Sequence, residues 1–193
     1  MDACGTNITN SKKTVLSYLH DFVILLAIIL LVFLLLGRIV VVSGPSMMNT
    51  LIDGDYLLVV GKPFYNTVQA GDVIVASKDA FKSGEPIIKR VIATEGQTVE
   101  ILDHNVYVDG VLLSETYISS QTNAPYGNQY SCVVADGCVF VMGDNRAISK
   151  DSRSTEIGQV DCREIVGKAV FLFFPGADEI TEKRDFSRIG GIS

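Results

Sequence analysis

The chain has 193 residues, 48% of them apolar, a formal charge of −6 and no tryptophan. That length holds one domain plus an accessory segment. An acidic chain without a basic stripe is a poor partner for nucleic acid, because phosphate affinity needs Lys and Arg in excess. The cysteines, Cys4, Cys132, Cys138 and Cys162, form no CxxC pair, and His20 and His104 lie far apart, so zinc ligation is not supported and neither metal nor cofactor is expected. Cys132 and Cys138 flank Ala135-Asp136-Gly137. A disulfide across that turn and two thiols in small apolar roles both fit.

From Phe22 to Leu36 every residue is apolar. The run is shorter than the roughly 20 residues that cross a bilayer, and Tyr18, Leu19 and Gly37 extend it to about that length. A helix apolar on every side has no face for water. Gly37-Arg38-Ile39-Val40 lacks the small-residue site that removal of a leader needs. We therefore read 18–37 as a transmembrane anchor embedded in membrane lipid. Lys12 and Lys13 before it, against Arg38 after it, place residues 1–17 in the cytoplasm. Residues 38–193 then form an extracytoplasmic domain of a single-pass protein of the cell membrane. Asp2, Lys12, Lys13 and Asp21 cancel, so that domain carries the whole −6.

Beyond the anchor, short apolar runs alternate with turn signals. Strands are expected at 56–60, 73–76, 87–92, 98–102, 105–108, 111–113, 138–142 and 168–174. Asp109-Gly110 between two of them is a strong hairpin signal. The polar stretch Ser114–Ser131 reads as a surface loop. The fold class is mainly β: an N-terminal transmembrane helix, then a β-rich, barrel-like or packed-sheet domain.

Ser43-Gly44-Pro45-Ser46-Met47-Met48-Asn49-Thr50-Leu51 follows the anchor. A Gly-Pro turn can present the Ser46 hydroxyl and aim backbone N–H groups at one point, as an oxyanion hole requires. An ordinary linker turn has the same composition. A hydroxyl needs a neighbouring proton acceptor to be a good nucleophile. Neither histidine has a partner pattern that makes it one: Asp103 adjoins His104, and adjacent strand residues point to opposite faces. The G-x-S-x-G and S-x-x-K patterns fail at Met48 and Asn49.

Ile87-Ile88-Lys89-Arg90-Val91-Ile92 sets two cations in an apolar strand. Of the two, one is expected to face water. A buried Lys89 would lose part of its basicity and could serve as general base, which arginine cannot. A solvated pair on an edge strand is the plainer alternative. A polar cluster, Gly143-Asp144-Asn145-Arg146-Ala147-Ile148-Ser149-Lys150-Asp151-Ser152-Arg153, follows an apolar strand and brings ion-pairing groups toward the core.

Together SGPSMMNTL, GDVIV, KRVIATEGQTVEI and GDNRAISKDSR resemble, in order and spacing, the motifs of the bacterial type I signal peptidase family. The resemblance covers most of residues 18–175. It implies a membrane-bound serine endopeptidase that removes signal peptides from exported preproteins, cutting after small residues through an acyl-enzyme. It implies Ser46 as nucleophile and Lys89 as general base. Ser149 would hydrogen-bond the Lys89 amine and Asp151 would fix Ser149. Asp144, Arg146 and Arg153 would support them by ion pairing, and Gly44 and Met47 would line the substrate cleft. Two positions depart from the family pattern: Asn49 stands where proline is usual, and Gly44 where some members carry a serine that completes the oxyanion hole. A non-catalytic membrane-anchored β-domain that binds a partner, and a self-cleaving Ser/Lys peptidase, are the rival readings. The second would need a DNA-binding segment where the apolar run stands.

Overall fold

The computed structural model of the chain describes residues 5–65, 67–77, 86–125 and 129–192. The chain divides into two compact units, Met1–Gly37 and Arg38–Ser193. The first is the helix α1, Gly5–Leu36. It begins well before the expected anchor and ends one residue short of it. Phe22, Val23, Leu25 and Ile29 are exposed on it. Among the described residues, no helix is both long and apolar enough to cross a membrane.

The second unit is mainly β. Its larger sheet contains β1 (Gly37–Val41), β2 (Tyr56–Val60), β3 (Val73–Ala76), β4 (Ile87–Thr94), β9 (Cys138–Met142), β10 (Val160–Asp161), β11 (Ile165–Phe174) and β12 (Gly190–Gly191). The order across it is β1-β2-β11-β3-β4-β9-β10, with β12 on β11. The smaller sheet runs β7-β6-β5-β8, from β5 (Thr98–Leu102), β6 (Asn105–Val108), β7 (Val111–Leu112) and β8 (Gln129–Val133).

Side-chain alternation explains the packing. In β9, Phe140 and Met142 join Val99 and Ile101 in the core beneath the smaller sheet, while Val139 and Val141 join Ile74 and Ile165 on the other face. β3 is buried at every position, so it reads as a continuous apolar run. A register shift between Val91 and Ala93 in β4 sends both Ile92 and Ala93 into the core with Phe140.

All eight expected strands form, two of them longer than the sequence pattern indicates. Asp109 and Gly110 turn between β6 and β7 with φ of 52° and 75°. Four strands lie outside the sequence reading. β8 begins at the end of the stretch read as a surface loop and runs two residues past it, with Tyr130 and Cys132 packing on the core. β1 directly follows the apolar run, and β10 and β12 have two residues each. Asp103 and His104 are not strand residues: with φ of 47° and 69° they turn between β5 and β6. Cys132 pairs with Val99 in the smaller sheet and Cys138 with Asp161 in the larger, and both remain thiols.

The turn that carries Ser46 is held from below by Asp55, which is fully buried. Its carboxylate accepts from the Ile52 and Gly176 N–H groups and pairs with Arg188. Met47 and Leu51 drop from the turn into the core with Val59 and Leu172. The position of Ser46 is therefore set by packing and not only by the local Gly-Pro sequence.

Candidate active site

Ser46 sits in a tight turn in which Met48 N–H bonds Pro45 O at 3.1 Å and Leu51 N–H bonds Met47 O at 2.8 Å. Gly44, before it, has φ of 84°, a region costly for any residue with a Cβ, and its N–H donates to Asp53 Oδ1 at 2.8 Å. Asn49, after it, has φ of 90°, which asparagine tolerates and the proline ring forbids. The turn in this chain therefore has a geometry of its own.

Lys89 comes from β4, opposite Ile74 of β3. Its Nζ donates to Ser46 Oγ at 2.8 Å and to Ile88 O at 3.0 Å. The side chain is 5% exposed. Burial pulls its pKa down to about 8, against the opposing pull of the Asp151 and Asp144 carboxylates. A cleft of about 480 Å³ opens beside the pair, lined by Val42, Met47, Val75, Ile88, Ser46 and Lys89 among others. Met47 is buried in its wall. A larger cavity of about 740 Å³, bounded by Tyr65, Cys138 and Cys162, contains neither Ser46 nor Lys89.

Arg90 is buried too, at 1% exposure, so neither cation faces water as the strand pattern suggested. Its guanidinium grips Asp144 through two bonds of 2.9 Å, donates to Gly71 O at 2.8 Å and lies 4.1 Å from the Tyr117 ring centre. Thr50 Oγ1 donates to the same Asp144 carboxylate at 2.5 Å. A charge at that depth needs this full set of partners.

The polar cluster wraps the serine from the other side. Asn145 N–H donates to Ser46 O at 3.0 Å. Gly143 is fixed at both ends, its N–H by Asp151 Oδ2 at 3.0 Å and its carbonyl by Arg146 Nε at 3.1 Å. A Cβ on Gly143 would collide with Ser149 Oγ and with Ser46 O, so only glycine fits. Arg153 pairs with Asp151 at 2.8 Å and donates to Arg146 O. Arg146 pairs with Glu115 and bonds Thr122 Oγ1 at 2.5 Å. Ser149 lies beside Gly143, and its Oγ is buried without a hydrogen-bond partner among the described residues. The amine of Lys89 donates to Ser46 Oγ and Ile88 O instead of to Ser149.

The fold thus gathers Ser46, Lys89, Asp144, Arg146, Ser149, Asp151 and Arg153, with Gly44 and Met47 flanking the serine. Sequence reasoning missed Thr50, Glu115, Tyr117 and Thr122. Their one legible signal is Glu115-x-Tyr117, an acidic and an aromatic residue in a stretch otherwise rich in small polar groups.

Comparison with known proteins identifies the family. The profile of the family described as "Signal peptidase, peptidase S26" matches residues 15–174. Signal peptidase I of Bacillus licheniformis is 32% identical over 180 residues, covering 86% of this chain and 92% of that protein. A probable signal peptidase I-1 of Synechocystis is 40% identical over 143 residues, 70% of each chain. Among solved structures, a signal peptidase I from Enterococcus faecalis is 31% identical, covers 53% of this chain and 97% of that one, and superposes with a TM-score of 0.45.

The depressed Lys89 pKa has a consequence for stability. Between about pH 8 and pH 10.5 the unfolded chain holds a proton on this lysine that the folded chain has released. Stability therefore rises with pH across that window, and below it burying the ammonium costs about 3 kcal/mol, at ~1.4 kcal/mol per pH unit. Lys89→Met is expected to remove that part of the rise and to be more stable than wild type at pH 7. Equilibrium urea unfolding at pH 7.5 and pH 10 checks this, and an identical pH response in both proteins contradicts it.

Proposed function

The chain belongs to the signal peptidase family, peptidase S26, and is a type I signal peptidase, a serine endopeptidase; from that premise we propose that it removes signal peptides from exported preproteins with Ser46 as nucleophile and Lys89 as general base. One observation carries this assignment: Lys89 Nζ lies 2.8 Å from Ser46 Oγ inside a desolvated pocket. At pH 7 a lysine of pKa about 8 is neutral roughly a tenth of the time, whereas at 10.5 the fraction would be roughly one in 3,000. The difference decides whether a lysine can act as a base at all.

Neutral Lys89 takes the Ser46 proton as Oγ attacks the scissile carbonyl. The tetrahedral oxyanion is stabilised by the Ser46 backbone N–H, Gly44 offering no side-chain donor. The Lys89 ammonium returns the proton to the leaving amine, and an ester on Ser46 remains. Lys89 then activates water to hydrolyse it. Ser149, with its hydroxyl otherwise uncommitted, would orient the amine through the cycle. Asp151 holds the Gly143 backbone beside it, and Asp144, Arg146 and Arg153 brace the same segment. Val42, Met47, Val75 and Ile88 line the cleft beside the pair and would receive small side chains next to the cut.

We assign residues 18–37 to membrane anchoring, with residues 1–17 cytoplasmic and residues 38–193 outside. The support is the unbroken apolar run Phe22–Leu36 and the lysines before it. Anchoring would hold the cleft near the end of a preprotein's own apolar segment. Alkaline extraction of membranes, which strips peripheral proteins, is expected to leave the chain in the pellet; release into the supernatant contradicts the anchor.

Ser46→Ala and Lys89→Ala are each expected to lower kcat on a signal-peptide substrate by about 10³-fold or more while the protein still folds. For wild type, kcat/KM should rise about tenfold per pH unit up to roughly pH 8 and level off above it. Activity retained by Lys89→Ala would remove lysine from the mechanism.

A further inference from the structure

Three arginines are buried around the Ser46–Lys89 pair: Arg90, Arg146 and Arg153. The motifs supply two carboxylates to match them, Asp144 for Arg90 and Asp151 for Arg153. Arg146 is left over, and its side chain is fully buried. An unmatched guanidinium at that depth is strongly destabilising. Its partner comes from outside the motifs. Glu115, with its side chain 7% exposed, pairs with Arg146 through both carboxylate oxygens. Two residues on, Tyr117 donates its hydroxyl to Glu115 Oε1 at 2.9 Å and lays its ring 4.1 Å from the Arg90 guanidinium carbon. Burial, with the Glu115 carboxylate next to it, pushes the Tyr117 phenol up, so it stays a donor.

The rest of the segment is stitched to the same place. Ser119 N–H bonds Asp144 O at 3.2 Å, Ser120 Oγ accepts from Ala147 N–H at 3.0 Å, Thr122 is fully buried against Arg146, and Asn123 O accepts from Arg153. Residues 115–123 of the stretch read from sequence as a surface loop form a wall of the site. Its reach to the reacting atoms is short. Glu115 holds Arg146, Arg146 holds the Gly143 carbonyl, and Gly143 abuts Ser46 O and Ser149 Oγ. Tyr117 covers Arg90, Arg90 holds Asp144, and Asp144 acts on Lys89 by charge.

We propose that Glu115 and Tyr117 are positioning residues of the peptidase, Glu115 as the third carboxylate that neutralises the buried arginine cluster and Tyr117 as the lid over the Arg90–Asp144 pair. The inference rests on the Ser46/Lys89 reading and adds to it a pair of side chains that touch neither substrate nor nucleophile. Lys89 is faced by Asp144 and Asp151 from the polar cluster and by Ser46, while Arg90, next to it on the strand, is held by Asp144. Arg146 and Arg153 stand behind the carboxylates. Removing the Glu115 charge leaves one positive charge in excess there, which disfavours the lysine ammonium.

The test compares Glu115→Gln, Tyr117→Ala, Tyr117→Phe and Lys89→Ala in the full chain on one signal-peptide substrate. Glu115→Gln is expected to lower kcat at least threefold, keep KM within twofold and move the pH–rate midpoint to lower pH. Tyr117→Ala is expected to lower kcat about tenfold, and Tyr117→Phe, which keeps the ring, to restore most of it. A purely structural role would change the melting temperature and the active fraction without moving the midpoint. Wild-type kcat in Glu115→Gln or in folded Tyr117→Ala overturns the proposal; if Tyr117→Ala does not fold, Glu115→Gln alone decides. An active Lys89→Ala would instead sink the dyad reading, so the two failures are distinguishable.

Discussion

The hydrogen bond from Lys89 Nζ to Ser46 Oγ joins two parts of the chain 43 residues apart, and its value depends on the absence of water around it. In water an amine is protonated and can only donate. Desolvation pulls its pKa down to about 8 and makes an accepting state available near neutrality. Much of the second unit serves that condition. β3 and β4 bring the lysine inward, Met47 and Leu51 anchor the serine turn in the core, and Asp55 fixes the turn from beneath.

A dry pocket with a titrating lysine sets a second requirement, because every charge near it is also dry. The structure meets this by matching each buried arginine with a carboxylate and by filling the remaining donor positions with backbone carbonyls. Gly143 is the point where this network meets the serine. It approaches Ser46 O and Ser149 Oγ so closely that no side chain fits, and both its peptide groups are held by charged partners. Rigidity at that point keeps the serine turn in register with the lysine.

The β class and eight strands were legible because their apolar alternation and turn residues are local signals. The strands that escaped are short or sit among polar residues; β8 buries only Tyr130 and Cys132. Ser46 and Lys89 were legible through motif order, which stands in for three-dimensional proximity. Glu115, Tyr117 and Thr122 were not, because a polar stretch reads as a loop until the buried charges it covers are known. The same limit applies to Arg90: the strand pattern put one cation in water, and only the Asp144 pairing explains why both are inside.

The central claim is that Lys89 sheds its proton near neutral pH within reach of Ser46. NMR titration of the Lys89 ε-methylene, assigned by comparison with Lys89→Ala, measures this without any substrate. The account predicts a midpoint near 8. A midpoint at the ordinary lysine value of about 10.4 would mean a hydrated ammonium and would contradict it.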